Sequence, residues 1–290
     1  MRRPHGPLLM PWRRAAAQPP MVGWNRARYG KGDMADVDIF KAYRKMFTSA
    51  EDGLVAWWYV GGAFVAPDGY PEMPVIEAET VMVYRTETLD ADRYRILWWE
   101  IGVFRDPISG GVASRWRNPV TGDLIATPQA FEEGPAAFTI TRNGSGISVH
   151  LVQANAHVRD VTVTARETQG RVFLNQVERK VRGFPLPDGR IPAPDSADAF
   201  DAVTVLSIFS DRADIESEAP NAPSTGVYSL NLPALPPWMK FGAMTGANIV
   251  RGRMEKSPAV NAQVNPAAWA RLKAAFPDRF DGDALIPKWD

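Results

Sequence analysis

From residue 54 to residue 255 the sequence is a succession of short runs rich in aromatic and β-branched residues, each closed by turn-forming residues. Branched and ring side chains pack well on a pleated surface, while Gly, Pro, Asn and Asp supply the reversals between strands. Strands are therefore predicted at 54–65, 79–88, 93–104, 112–117, 138–142, 147–153, 158–167, 171–181, 202–209, 226–232 and 248–255. Two segments carry a helical pattern instead. Residues 36–48 place Val37, Ile39, Phe40, Tyr43 and Phe47 at near-helical spacing, with Asp36 or Asp38 available as the cap; Asn265-Pro266 starts a second helix that runs over 267–276. Many strands without alternating helices argue against a doubly wound α/β fold. The expected fold is mainly β, an antiparallel barrel or sandwich with a short N-terminal helix and a C-terminal helix. If the strands close around a lumen, as in lipocalin-like architectures, inward side chains can line a cavity for a small apolar ligand.

Residues 34–290 are expected to form a single domain, since the 45% apolar and 23% charged residues of this chain are the balance of a packed protein. Residues 1–33 differ: Arg2, Arg3, Arg13, Arg14, Arg26, Arg28 and Lys31 face only Asp33, among Pro4, Pro7, Pro11, Pro19 and Pro20. This segment reads as a disordered basic, proline-rich extension, with a targeting arm as the alternative; its apolar stretch is too short and proline-broken for a signal peptide. The 33 basic and 33 acidic side chains cancel, so neither nucleic acid nor an anionic membrane is an expected partner. Without cysteine there is no disulfide, thiol nucleophile or thiolate metal site, and three histidines do not suggest a metal centre. No window reaches the ~20 apolar residues of a membrane-spanning helix. A soluble, cytoplasmic protein is expected, and oligomeric state leaves no mark in the sequence.

The run at 94–104, YRILWWEIGVF, carries the first candidate for chemistry. Side chains alternate across a strand, so Tyr94, Ile96, Trp98, Glu100, Gly102 and Phe104 should share one face, which sets Glu100 among aromatics. A carboxyl desolvated there would have a raised pKa and suit acid or base work near neutral pH. The competing reading pairs Glu100 with Arg115 or Arg117. His150 could act as a base, although a lone strand histidine is more often a hydrogen-bonded structural residue. Trp57, Trp58, Tyr59, Trp98, Trp99, Trp116 and Trp238 offer ring surface for a flat hydrophobic ligand, or simply fill a core. No nucleophile elbow, phosphate loop, carboxylate-rich metal cluster or dinucleotide fingerprint is present, so no cofactor is expected.

Residues 98–128, WWEIGVFRDPISGGVASRWRNPVTGDLIATP, with LPPWMKFG at 235–242 and RGRMEK at 251–256, together resemble the family designated domain of unknown function 1838. That family has a similar strand, an FRDP-type turn, a tryptophan followed by an NP-TG turn, and a late PPW segment. The resemblance spans roughly 34–283 by order of motifs. It implies a shared fold and carries no catalytic assignment. Within these blocks Glu100, Arg105, Asp106, Arg115, Trp116, Asn118, Trp238 and Lys240 are the positions of interest, with Asp106 and Asn118 also readable as turn caps.

The expected function is that of a cofactor-independent enzyme acting by proton transfer on a hydrophobic aromatic or polyketide-like small molecule, as a lyase, decarboxylase, isomerase or cyclase. Glu100 or His150 would be the acid or base; Arg115 or Arg117 would hold a carboxylate or phenolate, beside Asn118. The alternative is a non-catalytic carrier of a hydrophobic ligand, and a third reading is a structural protein with a solid interior. Convergence of ionisable groups inside a cavity separates the first from the others.

Overall fold

The computed structural model describes residues 37–153, 156–184, 192–257 and 265–289, so the predicted extension at 1–33 lies outside it. In chain order the elements are α1 (Ile39–Phe47), β1 (Gly53–Pro67), β2 (Met73–Asp90), β3 (Arg93–Arg105), β4 (Arg115–Arg117), β5 (Leu124–Ala126), β6 (Ala130–Asn143), β7 (Gly146–Gln153), β8 (His157–Thr168), β9 (Arg171–Gly183), β10 (Ala199–Asp211), α2 (Arg212–Glu216), β11 (Thr225–Leu232), β12 (Gly246–Ser257) and α3 (Pro266–Ala275). Ten strands form one sheet in the order β7-β6-β3-β2-β1-β12-β11-β10-β9-β8, every pair antiparallel. The two edges, β7 and β8, are consecutive in the chain and meet at a single bridge, Gln153↔Ala156, among the described residues. The sheet is thus a nearly closed antiparallel barrel, which resolves the choice between barrel and sandwich.

The strands are longer than the sequence signals at two places, for one reason. β2 begins at Met73 and β6 at Ala130, ahead of the predicted 79 and 138, because Pro74 and Gly134-Pro135 read as breakers. Pro74 occupies the strand's opening turn, and Gly134-Pro135 sits at a bulge where the β3–β6 register shifts between Trp98 and Glu100. The predicted strand at 112–117 shrinks to β4, which pairs with β5 in a separate hairpin. The short helix α2 has no counterpart in the sequence reading.

Alternation sorts side chains to the two faces of the barrel. Val55, Trp57 and Tyr59 of β1 point inward with Tyr94, Ile96 and Trp98 of β3, while Ala56 and Trp58 point outward with Val81, Val83, Trp99 and Ile101. The outer set is covered by α3, whose Ala268, Trp269 and Leu272 lie on it. Both faces of β1–β3 are therefore apolar, which explains the near-continuous hydrophobic reading of these strands. α3 starts where Asn265 accepts from the Ala267 and Ala268 amides with Pro266 in the first turn, and it is tied down by Arg271, which shares the buried Glu79 carboxylate with Arg105.

α1 closes one end of the barrel. Asp38 caps it by accepting from the Phe40 and Lys41 amides, and the inward stripe Phe40, Tyr43, Met46 and Phe47 is buried against the strands. Phe47 is the centre of this plug: its ring meets Tyr84, Phe138 and Trp57, and its carbonyl accepts the Trp57 indole N–H at 2.8 Å. At the opposite end the β4–β5 hairpin and the turn Pro237–Met239 pack Trp116, Ile125, Met239 and Phe241 against Val65 and Val75. Replacing Phe47 by Ala removes the ring that all three aromatic contacts share; the expected loss is about 3–5 kcal/mol of unfolding free energy, read by urea denaturation at constant m-value.

Candidate functional site

Between α1 and the far end the barrel encloses a cavity of ≈ 280 Å³. Its floor, towards α1, is apolar: Phe47, Met82, Trp98, Phe138, Leu151 and Leu206. Above the floor runs a polar belt of Glu100, Glu133, Gln153, Glu178, Lys180 and Arg182, and beyond it the stacked rings of Phe104 and Phe131, 5.1 Å apart.

Two local devices put the belt inside. On β9 every second residue from Gln176 through Glu178 and Lys180 to Arg182 faces inward, and the first three are 3%, 5% and 6% exposed. On β6 the inward residues are Ala136, Phe138 and Ile140, a phase that would continue to Gly134 and Glu132; the bulge inserts one residue and moves the inward phase to Glu133 and Phe131. Glu132 consequently faces outward, where it accepts from Trp99 and pairs with Arg279. Gly134 is needed at this bulge, having φ +107° and leaving only 2.9 Å between an added Cβ and the Trp98 carbonyl oxygen.

The belt is one connected network. Tyr43 of α1 donates to Gln176 Oε1 (2.5 Å), Gln176 Nε2 donates to Glu178 Oε1 (2.5 Å), and Lys180 Nζ pairs with Glu178 Oε2 (2.5 Å) while donating to Gln153 Oε1 (2.9 Å). Gln153 Nε2 then donates to Glu133 Oε1 (2.9 Å), which Arg182 Nη2 also approaches at 3.5 Å. Fully satisfied chains of this kind fix side-chain positions in a low-dielectric interior.

Glu100 stands opposite Glu133 across β3–β6 and opposite Met82 across β2–β3. Its remaining accessible surface opens onto the cavity. Burial pushes its carboxyl up to about 8, the Glu133 carboxylate adds to the rise, and the Thr80 hydroxyl pulls the other way. Such an acid is half-ionised close to neutral pH and can give or take a proton there. Burial, together with the nearby carboxylates, also raises Tyr43, Tyr59, Tyr84 and Tyr228, so these phenols stay protonated.

Of the residues singled out in the sequence, Glu100, Tyr59 and Trp98 line the cavity. Trp57 points inward but lies beneath Phe47 and does not reach the space. The other placements correct the sequence reading. His150 is exposed, because Leu151 and Gln153 take the inward phase of β7 and leave His150 with Ser148 and Val152 on the outer face. Arg115 and Arg117 are exposed on the β4 hairpin, Arg117 donating to the Gly122 carbonyl, and neither approaches Glu100. Trp116 and Trp238 belong to the cluster at the far end of the barrel. Asn118 is a turn cap, accepting from the Val120 and Thr121 amides while donating to the Met239 carbonyl; Asp106 likewise accepts from Ile108 and Ser109.

The sequence reading missed Glu133, Gln153, Gln176, Glu178, Lys180, Arg182 and Tyr228. The available signal was the alternation Gln176, Glu178, Lys180, Arg182, but a polar set on a strand ordinarily marks the solvent face. No family model matches the chain, and no curated protein matches it. The family resemblance of residues 98–128, 235–242 and 251–256 is carried by those blocks alone.

Glu100 keeps its proton in the folded chain over the interval from its ordinary 4.5 to about 8, where the unfolded chain has lost it. The folded state binds more protons there, so this carboxyl makes stability fall as pH rises through that window. Lys256, lowered by burial to about 7, acts in the opposite sense at higher pH and is common to both proteins in a comparison with Glu100→Gln. The variant is expected to gain on the parent by ~1 kcal/mol per pH unit between those limits and to level off above them, in paired urea titrations. A constant difference at all pH values would show that Glu100 is not the titrating group.

Proposed function

We propose that the protein is a cofactor-independent enzyme that binds a compact hydrophobic, aromatic or polyketide-like molecule in the barrel and acts on it by proton transfer. The observation that carries this reading is Glu100: an acid shifted to about 8, on the wall of the barrel cavity, beside a hydrogen-bonded network that fixes its neighbours. Lyase, decarboxylase, isomerase and cyclase steps need little more than a placed proton donor or acceptor and an oriented substrate. His150 drops out as a partner, since it lies on the other side of the wall.

Size narrows the ligand. A cavity of ≈ 280 Å³ falls just below the ~300–1,000 Å³ range of small-molecule pockets, so one or two rings fit better than an extended chain. The apolar floor supports a second reading, a carrier that holds such a molecule without changing it. Turnover separates the two, because a poised acid can serve either to move a proton on the ligand or only to hold it.

The purified protein is to be incubated with a panel of one- and two-ring aromatic and cyclic polyketide compounds, following product formation and quenching of the Trp98 indole. Turnover is expected, with Glu100→Gln lowering kcat by about 10²-fold or more while binding persists. Turnover undiminished in that variant would remove Glu100 from the mechanism; quenching without product, for every quencher, would favour the carrier.

A further inference from the structure

The charged side chains on the cavity wall, among the described residues, are the carboxyls Glu100, Glu133 and Glu178 and the cations Lys180 and Arg182. The cations are engaged. Lys180 is held between Glu178 and Gln153, and Arg182 lies beside Glu133. Glu100 is the odd member: no salt bridge reaches it among the described residues, and the groups that interact with it are Tyr59 from β1, Thr80 and Tyr84 from β2, Glu133 from β6 and Tyr228 from β11.

A second group on this wall has no hydrogen-bond partner. Tyr59 is 4% exposed, and its buried hydroxyl makes no hydrogen bond. Its ring lies back over the main chain of β1 at Gly61, where a Cβ would come within 2.1 Å of the phenol oxygen, so the glycine is what allows this seat. A carboxyl with no counter-cation and an unpaired hydroxyl oxygen thus share one wall of the cavity. Burying a carboxyl without an opposite charge and a hydroxyl without a hydrogen bond is costly, and a cationic ligand that donates to both oxygens offsets part of that cost.

We propose, on the basis of the ligand-chamber reading above, that the cavity takes a small aromatic amine in its protonated form, with the ammonium against Glu100 and Tyr59. An ammonium presents three donors and no acceptor, which suits a carboxylate and a phenol oxygen together. Its charge matches the one carboxyl that the cations of the wall leave over. Nearby ring faces, Trp98 above all, attract a cation through their quadrupole. An anionic ligand would instead add a fourth negative group to a wall already short of cations, and would have to draw Arg182 from Glu133.

Binding is then coupled to protons. The ammonium requires an ionised Glu100, so below pH 8 the cavity releases about one proton for each amine taken up, and the observed affinity falls towards tenfold per pH unit as pH drops.

The test is calorimetry of the full chain with three probes built on one phenethyl frame, phenethylamine, phenethyl alcohol and hydrocinnamate, in buffers of differing ionisation enthalpy. The amine is expected to bind roughly tenfold or more tighter than the alcohol near pH 8, with proton release that grows at lower pH. Glu100→Gln, nearly isosteric with the parent, should abolish the proton release and bring the amine to the affinity of the alcohol. Tyr59→Phe should weaken the amine several-fold while leaving the proton release in place. Preference for the alcohol or hydrocinnamate, or amine binding without proton release, overturns the ammonium assignment and leaves the chamber standing. If none of the three binds and Trp98 fluorescence is unchanged by all of them, the chamber reading itself falls.

Discussion

The pairing of β1 with β12, from Ala56↔Ser257 to Pro67↔Gly246, is what divides this chain into an inside and an outside. The two strands lie at opposite ends of the described barrel sequence, and their ladder turns an up-and-down series of hairpins into a nearly closed wall. Without it the inward residues of β1–β3 and those of β9–β12 would belong to two separate half-exposed sheets. With it, they face one another across one cavity, and the charges buried on that wall interact more strongly than they would in bulk water.

That enclosure gives the polar belt its properties. In water, Glu178 and Lys180 would be an ordinary surface pair worth little. Buried, they have to be matched in charge and hydrogen bonding, and the relay from Tyr43 through Gln176, Lys180 and Gln153 to Glu133 supplies the matching. Glu100 has no cation in that matching, and burial, with the Glu133 carboxylate beside it, holds its carboxyl well above the ordinary range. The same enclosure that makes the belt pair up therefore also produces, in Glu100, a group that can exchange a proton near neutral pH.

How far the sequence could be read depended on whether local pattern and final environment agreed. At α1 they agree: Phe40, Tyr43 and Phe47 form a stripe at helical spacing, Asp38 is a capping residue, and the stripe is what enters the barrel. At β3 they agree as well, since Trp98 and Glu100 do share the inward face. They disagree at β9, where the charged face is inside, and at β6, where Gly134-Pro135 looks like the end of a strand and is instead the bulge that turns Glu133 inward. His150 and the arginines of β4 were attractive as chemical types, but a strand's phase and a hairpin's excursion carry them away from the cavity.

The sequence by itself determined the class of fold, nearly all of its strands, both principal helix caps and the cysteine-free, charge-balanced character of the chain. These follow from period, turn chemistry and composition, which act over a few residues. Only the tertiary structure decided closure, the direction in which each polar face points, and the company Glu100 keeps. Those depend on ladders between residues far apart in the chain and on a single inserted residue that reverses the alternation beyond it, neither of which leaves a local signature.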